Sequence, residues 1–480
     1  MRRKGLLLAL GLVCAAGLLA SWLGSASQAA EASKVKLLTK EVSLGKLNLA
    51  MIDQSWVLSS DSRRVAYGAQ HGGKQLVVVD GVEGKKYDRI GEPGPVFSPD
   101  SRRVAYAAKH SDKWFSVVDG VEGKEYDGIG EGSVVFSPDS RRVAYGAWRG
   151  GKWLVVADGV EGKEYDGIME GTPVFGPDSR RVAYAPQRGG KRFVVVDGVE
   201  GKEYDGIVQG TLVFSGDSGR VAYAVKCGDK WLVVVDGVEG KKYDGIGEGL
   251  VFSPDSRRVA YAAKHSDKWF SVVDGVEGNE YDGIGEGSLV FSPNSRRVAY
   301  VAQRGGNWLV VVDGVEGKEY AGLGHGLCFS PDGRRVAYDA QRGNKWFVVV
   351  DGMERKEYDL IEEGTPIFSH DSGRVAYGAK SSGRWLVAVD GVEGKEYDGI
   401  LGTPAFSPDS KRVAYGVQRG DKWLVVVDGV EGKEYDAFLK GSRLVFDSPR
   451  QLHTLAHRGE KFLRVEIEIV SPAAGTAAPR

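Results

Sequence analysis

The chain has 480 residues, 69 of them glycine, and its 64 Lys plus Arg nearly cancel its 65 Asp plus Glu. That balance lacks the basic surplus of a nucleic-acid binder, so no nucleic-acid partner is expected. The glycine load, alongside 20 Tyr, 16 Phe and 11 Trp, suits short strands joined by many tight turns.

In chain order, Arg2, Arg3 and Lys4 come first, then an apolar run from Gly5 to Gly24 and the small residues Ser25 to Ala30. Residues 1–30 therefore read as a secretory signal cleaved near Ala29 or Ala30, which predicts export to the periplasm or the cell exterior. The apolar run of about 20 residues is also long enough to remain as an anchor, the one route by which a membrane becomes a partner. Cys14 follows Gly11-Leu12-Val13, without the small residues that precede a lipidated cysteine. The segment Val35 to Ala50 has strand-like stretches and precedes the first clear repeat.

From there the tripeptide Val-Ala-Tyr recurs, its tyrosine at 67, 106, 145, 184, 223, 261, 300, 338, 377 and 415, every 38 or 39 residues. Units of this length cannot each hold a core and must stack. Each unit divides into four short strands, as in Val134 to Ile168. An apolar first strand, Val134–Phe136, ends in a Ser-Pro-Asp turn. A second, Arg142 to Ala147, alternates Val143, Tyr145 and Ala147 with small residues. A third, Trp153 to Ala157, is apolar on both faces and so is expected to be buried on both. A glycine-rich hairpin at Asp158–Gly162 leads to a fourth strand, Lys163 to Ile168, with the charges of an exposed edge.

No unit contains a helix-length stretch free of glycine and proline, which excludes helical solenoids. Four antiparallel strands per unit of about 40 residues describe a blade, and the chain reads as an all-β propeller. After Tyr435 a degenerate unit offers only Leu444–Phe446, Gln451–Ala456 and Lys461–Ile469. The segment Val35 to Ala50 is expected to supply its missing fourth strand and lock the termini together. The expectation is about 10–11 blades spanning 34–470, in one large ring or two smaller ones, with residues 471–480 a disordered tail.

The stretch Phe136-Ser137-Pro138-Asp139-Ser140-Arg141-Arg142-Val143-Ala144-Tyr145 resembles the WD-repeat-like blade of TolB-type propellers, and Phe329 to Tyr338, with Gly333 in the turn, is closer still. The resemblance recurs from about Trp56 to Phe446. It implies a propeller that is either a protein-binding module or the propeller half of a peptidase, and it specifies fold better than function.

Motifs that carry chemistry are absorbed by the repeat. Gly216-Asp217-Ser218-Gly219 occupies the turn that is Pro-Asp-Ser-Arg elsewhere, and His453 and His457 fall in a predicted strand, where four residues span about 13 Å. Cys227 and Cys328 fall at non-equivalent positions and are expected as free thiols. The first strand, Val-Phe-Ser in nearly every unit, offers the channel no acid, base or nucleophile. No catalytic residue, metal site or cofactor is nominated.

The binding signal lies in the loops. The face formed by first-to-second and third-to-fourth turns repeats Asp139, Arg141, Arg142 and Glu161 almost without change, as turn formers and salt bridges. The opposite face varies. Its second-to-third loops carry Trp148, Arg149, Arg188, Arg304, Arg342 and Arg419, with His110 and His265 in related units; exposed Trp and Arg are favoured anchors. Its fourth-to-first loops carry Glu92, Glu131, Glu170, Glu248, Glu286 and Glu363, a partial ring of carboxylates near the channel mouth, set against a reading in which the arginines neutralise them. The expectation is an exported, non-catalytic scaffold with a protein or peptide partner. The alternatives are a propeller hydrolase using loop carboxylates and a purely structural envelope protein. Oligomeric state is left open.

Overall fold

The computed structural model describes residues 35–46, 51–52 and 56–470. The expected signal segment, part of the stretch up to Ala50 and the expected tail lie outside these residues. Among the described residues every regular element is a strand.

Blade 3 shows how the sequence builds each unit. Its second strand (Val143–Arg149) pairs antiparallel with its third (Lys152–Ala157), register Tyr145↔Val156. The turn into the fourth strand is Asp158-Gly159, both at positive φ (51° and 75°), the geometry whose twist matches a two-residue hairpin. Asp158 tolerates this because its carboxylate is fully used: Val143 N–H donates to Oδ1 at 3.0 Å and Arg142 Nε to Oδ2 at 2.7 Å.

The outer and inner strands differ from the expectation. The fourth strand is only Val160–Glu161, with Tyr165 bridging back to Trp153. The chain crosses to the next blade at Asp166, and Gly167–Ile168 already pairs with Gln187 and Pro186 there. In most blades the innermost strand is consequently made in two pieces, whereas in blade 10 it runs unbroken from Gly399 to Phe406. In blade 3 the pieces are Gly128–Ile129 and Val135–Phe136, both paired with Val143–Arg149 and separated by an excursion at 130–134.

The strands form twelve hydrogen-bonded sheets. Two of them belong to blade 4, where Pro186 cannot donate to the ladder and splits the second strand into Val182–Tyr184 and Pro186–Arg188. The described residues therefore form eleven blades. The eleventh holds Ala437–Phe438, Val445–Ser448, Gln451–Arg458 and Lys461–Val470, and its outer strand is Lys36–Lys46 from the other end of the chain, register Leu37↔Ile469 to Ser43↔Leu463. The expected closure by the termini is present.

Blades are joined by apolar seams. Between blades 2 and 3, Ala105 meets Tyr126, Val143, Tyr145, Leu154 and Val156. The equivalent cluster recurs from each blade to the next, through blades 5 and 6 and on to blades 10 and 11. A last one sets Leu439, Leu455 and Phe462 of blade 11 against Val65, Tyr67, Leu76 and Val78 of blade 1. Of the two arrangements left open by the sequence, the structure is one continuous ring. Eleven blades exceed the usual range of about four to eight. Narrow Ala-rich faces against Tyr and Val make the seams before the closing one alike, so the same small step repeats until the ends meet.

Candidate functional site

The basic loop residues come first. Arg149 is ion-paired with Glu161 at 3.2 Å and Glu164 at 3.3 Å, and its guanidinium sits 6.0 Å from the Tyr126 ring centroid. Arg188 holds Glu200 and Glu203, both at 3.0 Å, and lies 4.7 Å from the Phe193 centroid. Arg304 pairs with Glu316 and Glu319, Arg342 with Glu354 at 2.6 Å, and Arg419 with Glu431 at 2.7 Å and Glu434 at 2.8 Å. Arg458 on Glu41, at 3.0 Å, is a further member that the consensus did not reveal. His110 and His265 take the same loop position, 3.8 Å from Asp88 and 3.7 Å from Asp244, and His265 packs on the Tyr243 and Phe270 rings.

These arginines are therefore occupied within their own blades. The glutamates they neutralise belong to outer strands rather than to the channel row, so the expected cancellation of the two loop sets does not occur. Trp148 is 37% exposed, opposite Trp153 in the ladder.

Many of the other repeated carboxylates are satisfied as well. Asp139 accepts from Ser137 Oγ at 2.6 Å and Arg141 N–H at 3.1 Å, which hold its carboxyl below the usual range. Asp166 is held down by Lys152 Nζ at 2.6 Å and Gly189 N–H at 2.8 Å. Glu161 also accepts from Tyr126 of the preceding blade at 3.0 Å.

The channel glutamates contrast with all of these. The structure moves them from a connecting loop to the excursions within the innermost strands. Glu92, Glu131, Glu170, Glu248, Glu286 and Glu363 occupy equivalent, exposed positions, with Gln209 and His325 taking that place in blades 5 and 8 and Lys440 in blade 11. Successive excursions touch: Gly132 N–H donates to the Glu92 carbonyl at 3.3 Å. They form a partial collar along the innermost strands, which the short Val-Phe-Ser reading missed.

Glu92 is paired with Arg89 at 3.2 Å. Glu131, Glu170 and Glu363 have no ion-pair partner among the described residues. The neighbouring Glu286 carboxyl and its charge raise the pKa of Glu248. Glu362, half-buried beside Glu363, is raised by burial and then by that neighbour.

Blade 8 departs from the series. Asp339 replaces the usual Gly or Ala, and burial raises its pKa, while Gly326 N–H donates to its Oδ1 at 3.1 Å. Nearby, burial pushes the Cys328 thiol up to about 12, the opposite of an activated nucleophile. Cys227 and Cys328 are free thiols. His453 is buried in the last seam, and the described residues contain no His, Cys, Asp and Glu group of three or more arranged to hold a metal.

No protein-family model matches the chain, and no curated protein matches it. Several solved structures are similar. One is a crystal structure described as the eukaryotic initiation factor, at TM-score 0.39 and 12% identity, covering 70% of this chain and 96% of that one. TolB from Acinetobacter baumannii aligns at TM-score 0.25 and 16% identity over 53% of this chain and 66% of its own. The β-propeller domain of the Trilobed protease from Pyrococcus furiosus, described as having an open velcro topology, aligns at TM-score 0.28 and 13% identity over 54% and 93%. At these scores the architecture rests on the eleven blades themselves.

Proposed function

We propose that the protein is an exported, non-catalytic scaffold that binds a protein or peptide partner, and that its contact surface is the glutamate collar rather than the arginine loops. The supporting observation is the contrast in pairing. Many repeated carboxylates of turns and outer strands are met by arginine, lysine, tyrosine or backbone N–H, whereas Glu131, Glu170 and Glu363 have no ion-pair partner among the described residues, and the neighbouring Glu286 raises the pKa of Glu248. Charge held uncompensated on a rigid support favours a cationic segment, through steering and through relief of like-charge repulsion. Export is motivated by the N-terminal residues 1–30.

The test is affinity capture from an extract of the source cells, with the wild type, with Glu131→Gln/Glu170→Gln/Glu286→Gln, and with Arg149→Glu/Arg188→Glu/Arg304→Glu. The collar variant is expected to lose a salt-sensitive partner at unchanged stability. The arginine variant is expected to lose stability first, since each reversal sets a new carboxylate against a glutamate pair. Undiminished capture by the collar variant contradicts this function.

A further inference from the structure

The seam that closes the ring is chemically unlike the others. In blade 3 the residue before the core tyrosine is Ala144, fully buried. Matching Arg149↔Lys152 to Arg458↔Lys461 places His453 at that position in blade 11. His453 is 1% exposed and faces blade 1. Its Nδ1 lies 2.8 Å from Asp447 Oδ2, and its Nε2 lies 2.6 Å from the carbonyl oxygen of Asp61 in blade 1. Both partners are acceptors, and a neutral imidazole carries one N–H, so only the doubly protonated ring satisfies both.

The surrounding charges are committed elsewhere. Asp447 also accepts from Arg63 Nη2 of blade 1 at 2.6 Å. Burial works against its ionisation, but the bonds from His453 and Arg63 outweigh it and hold the carboxyl below its usual range. Glu466, opposite His453 in the ladder, is taken by Arg464 at 2.9 Å and Lys40 at 3.3 Å. The Asp61 carboxylate turns into its own turn, accepting from Ser59 Oγ at 2.6 Å and Arg63 N–H at 3.1 Å, and Arg64 is held by Asp80 at 2.7 Å. Among the described residues no donor other than His453 is bonded to the Asp61 carbonyl.

We infer that His453 is a proton-operated latch: the ring is held shut across the blade 11–blade 1 seam while the imidazole carries both protons, and that seam loosens when one leaves. The sign follows from the contacts. A native contact that requires a bound proton is present at low pH and is lost as pH rises. The aspartate rows of the blades weaken in the opposite direction, in acid. The regular seams, which close on alanine, have no such dependence.

Hydrogen exchange followed by mass spectrometry on the full chain at pH 5.5 and 8.5, corrected for intrinsic rates, tests this. Peptides covering Gln451–Arg458 and Val65–His71 are expected to lose protection by on the order of ten-fold at the higher pH, while peptides from the blade 5–blade 6 seam stay level. Asp447→Asn, which removes the acceptor that demands Nδ1–H, is expected to shrink the difference while the ring still folds. His453→Gln is expected to abolish it. Equal protection of the closing seam at both pH values overturns the latch, and so does a pH difference that survives in His453→Gln or is undiminished in Asp447→Asn.

Discussion

At the scale of single residues, the turn serine explains itself only through its neighbour. Ser140 sits at φ 67°, a left-handed conformation that costs a non-glycine residue about 1 kcal/mol, and glycine would adopt it freely. Serine is there because its Oγ accepts the Asp100 N–H of the preceding blade at 2.8 Å, and Ser179 does the same for Asp139. Blade 8 confirms the logic by exception. Gly333 has no hydroxyl, and the preceding turn carries Asn294, whose amide donates instead to the Asp332 carbonyl at 2.8 Å. Ser140→Ala keeps the strain and loses the bond, so urea titration is expected to show a loss of about 1–2 kcal/mol. Ser140→Gly is expected to cost less, because relief of strain offsets the lost bond. Asn294→Asp restores the residue usual in the repeat, yet is expected to destabilise, because it sets a carboxylate against a carbonyl oxygen.

The turn was legible in the residues Ser-Pro-Asp, but its interblade role was not, since the partner lies 40 residues away. The arginines mislead for a related reason. Arg149 looks free beside glycines, yet the hairpin folds Glu161 and Glu164, 12 and 15 residues on, back against it. The register of that hairpin was the signal that could have revealed the pairing.

At the scale of strands and blades, the repeat was readable because period, turn chemistry and apolar alternation agree in every unit. The ends of the outer strand were not, because Tyr165-Asp166-Gly167-Ile168 has the same pattern whether it closes one blade or opens the next. Only pairing decides, and with it the collar moves from a loop into the channel.

The closing strand has a local signature too. Gly45 (φ 101°) comes so near Gly81 that a Cβ on Gly45 would lie 2.5 Å from the Gly81 Cα, whereas Gly120, the equivalent of Gly81 in blade 2, faces open space. Gly81→Ala is expected to lower the thermal midpoint clearly more than Gly120→Ala, since both adopt a left-handed turn but only the first also clashes with the strap. Equal effects would argue that the strap does not bear on blade 1.

Each blade also stores acid sensitivity. Asp88, Asp127, Asp166 and Asp205 are held below their usual range by lysine and backbone N–H, and Asp244, bonded by Lys230 and Ser266 N–H, is lowered to about 2. Carboxylates with depressed native values stabilise above the unfolded value of about 3.9, and that contribution is lost as pH falls through the native one. Repetition round the ring adds these small contributions. Chemical denaturation at successive pH values is expected to show stability falling steeply between about pH 4 and 2, and Lys152→Met/Lys191→Met is expected to flatten that slope.

At the scale of the whole molecule, a ring of like seams has no terminal blade to protect. A chain that ended at Val470 without Lys36–Lys46 would leave blade 11 with an unpaired edge and would lose the Leu44 contact in the last cluster. The sequence could supply the number of blades and the identity of the strap. It could not choose between one ring and two, because identical seams permit either until the last blade is seen to meet the first. The choice is made by particular contacts: Phe462 on Tyr67 at 6.1 Å, Arg63 on Asp447 and His453 on Asp61. Those contacts also set the channel in which the collar faces any partner, so ring closure underlies both the proposed surface and the latch.

Electron microscopy of single particles viewed down the axis tests this most directly. The account predicts closed rings of eleven blades at pH 5.5, opening at one place only when Lys36–Lys46 is deleted. Two smaller rings per chain, or an intact ring without that strand, would contradict it.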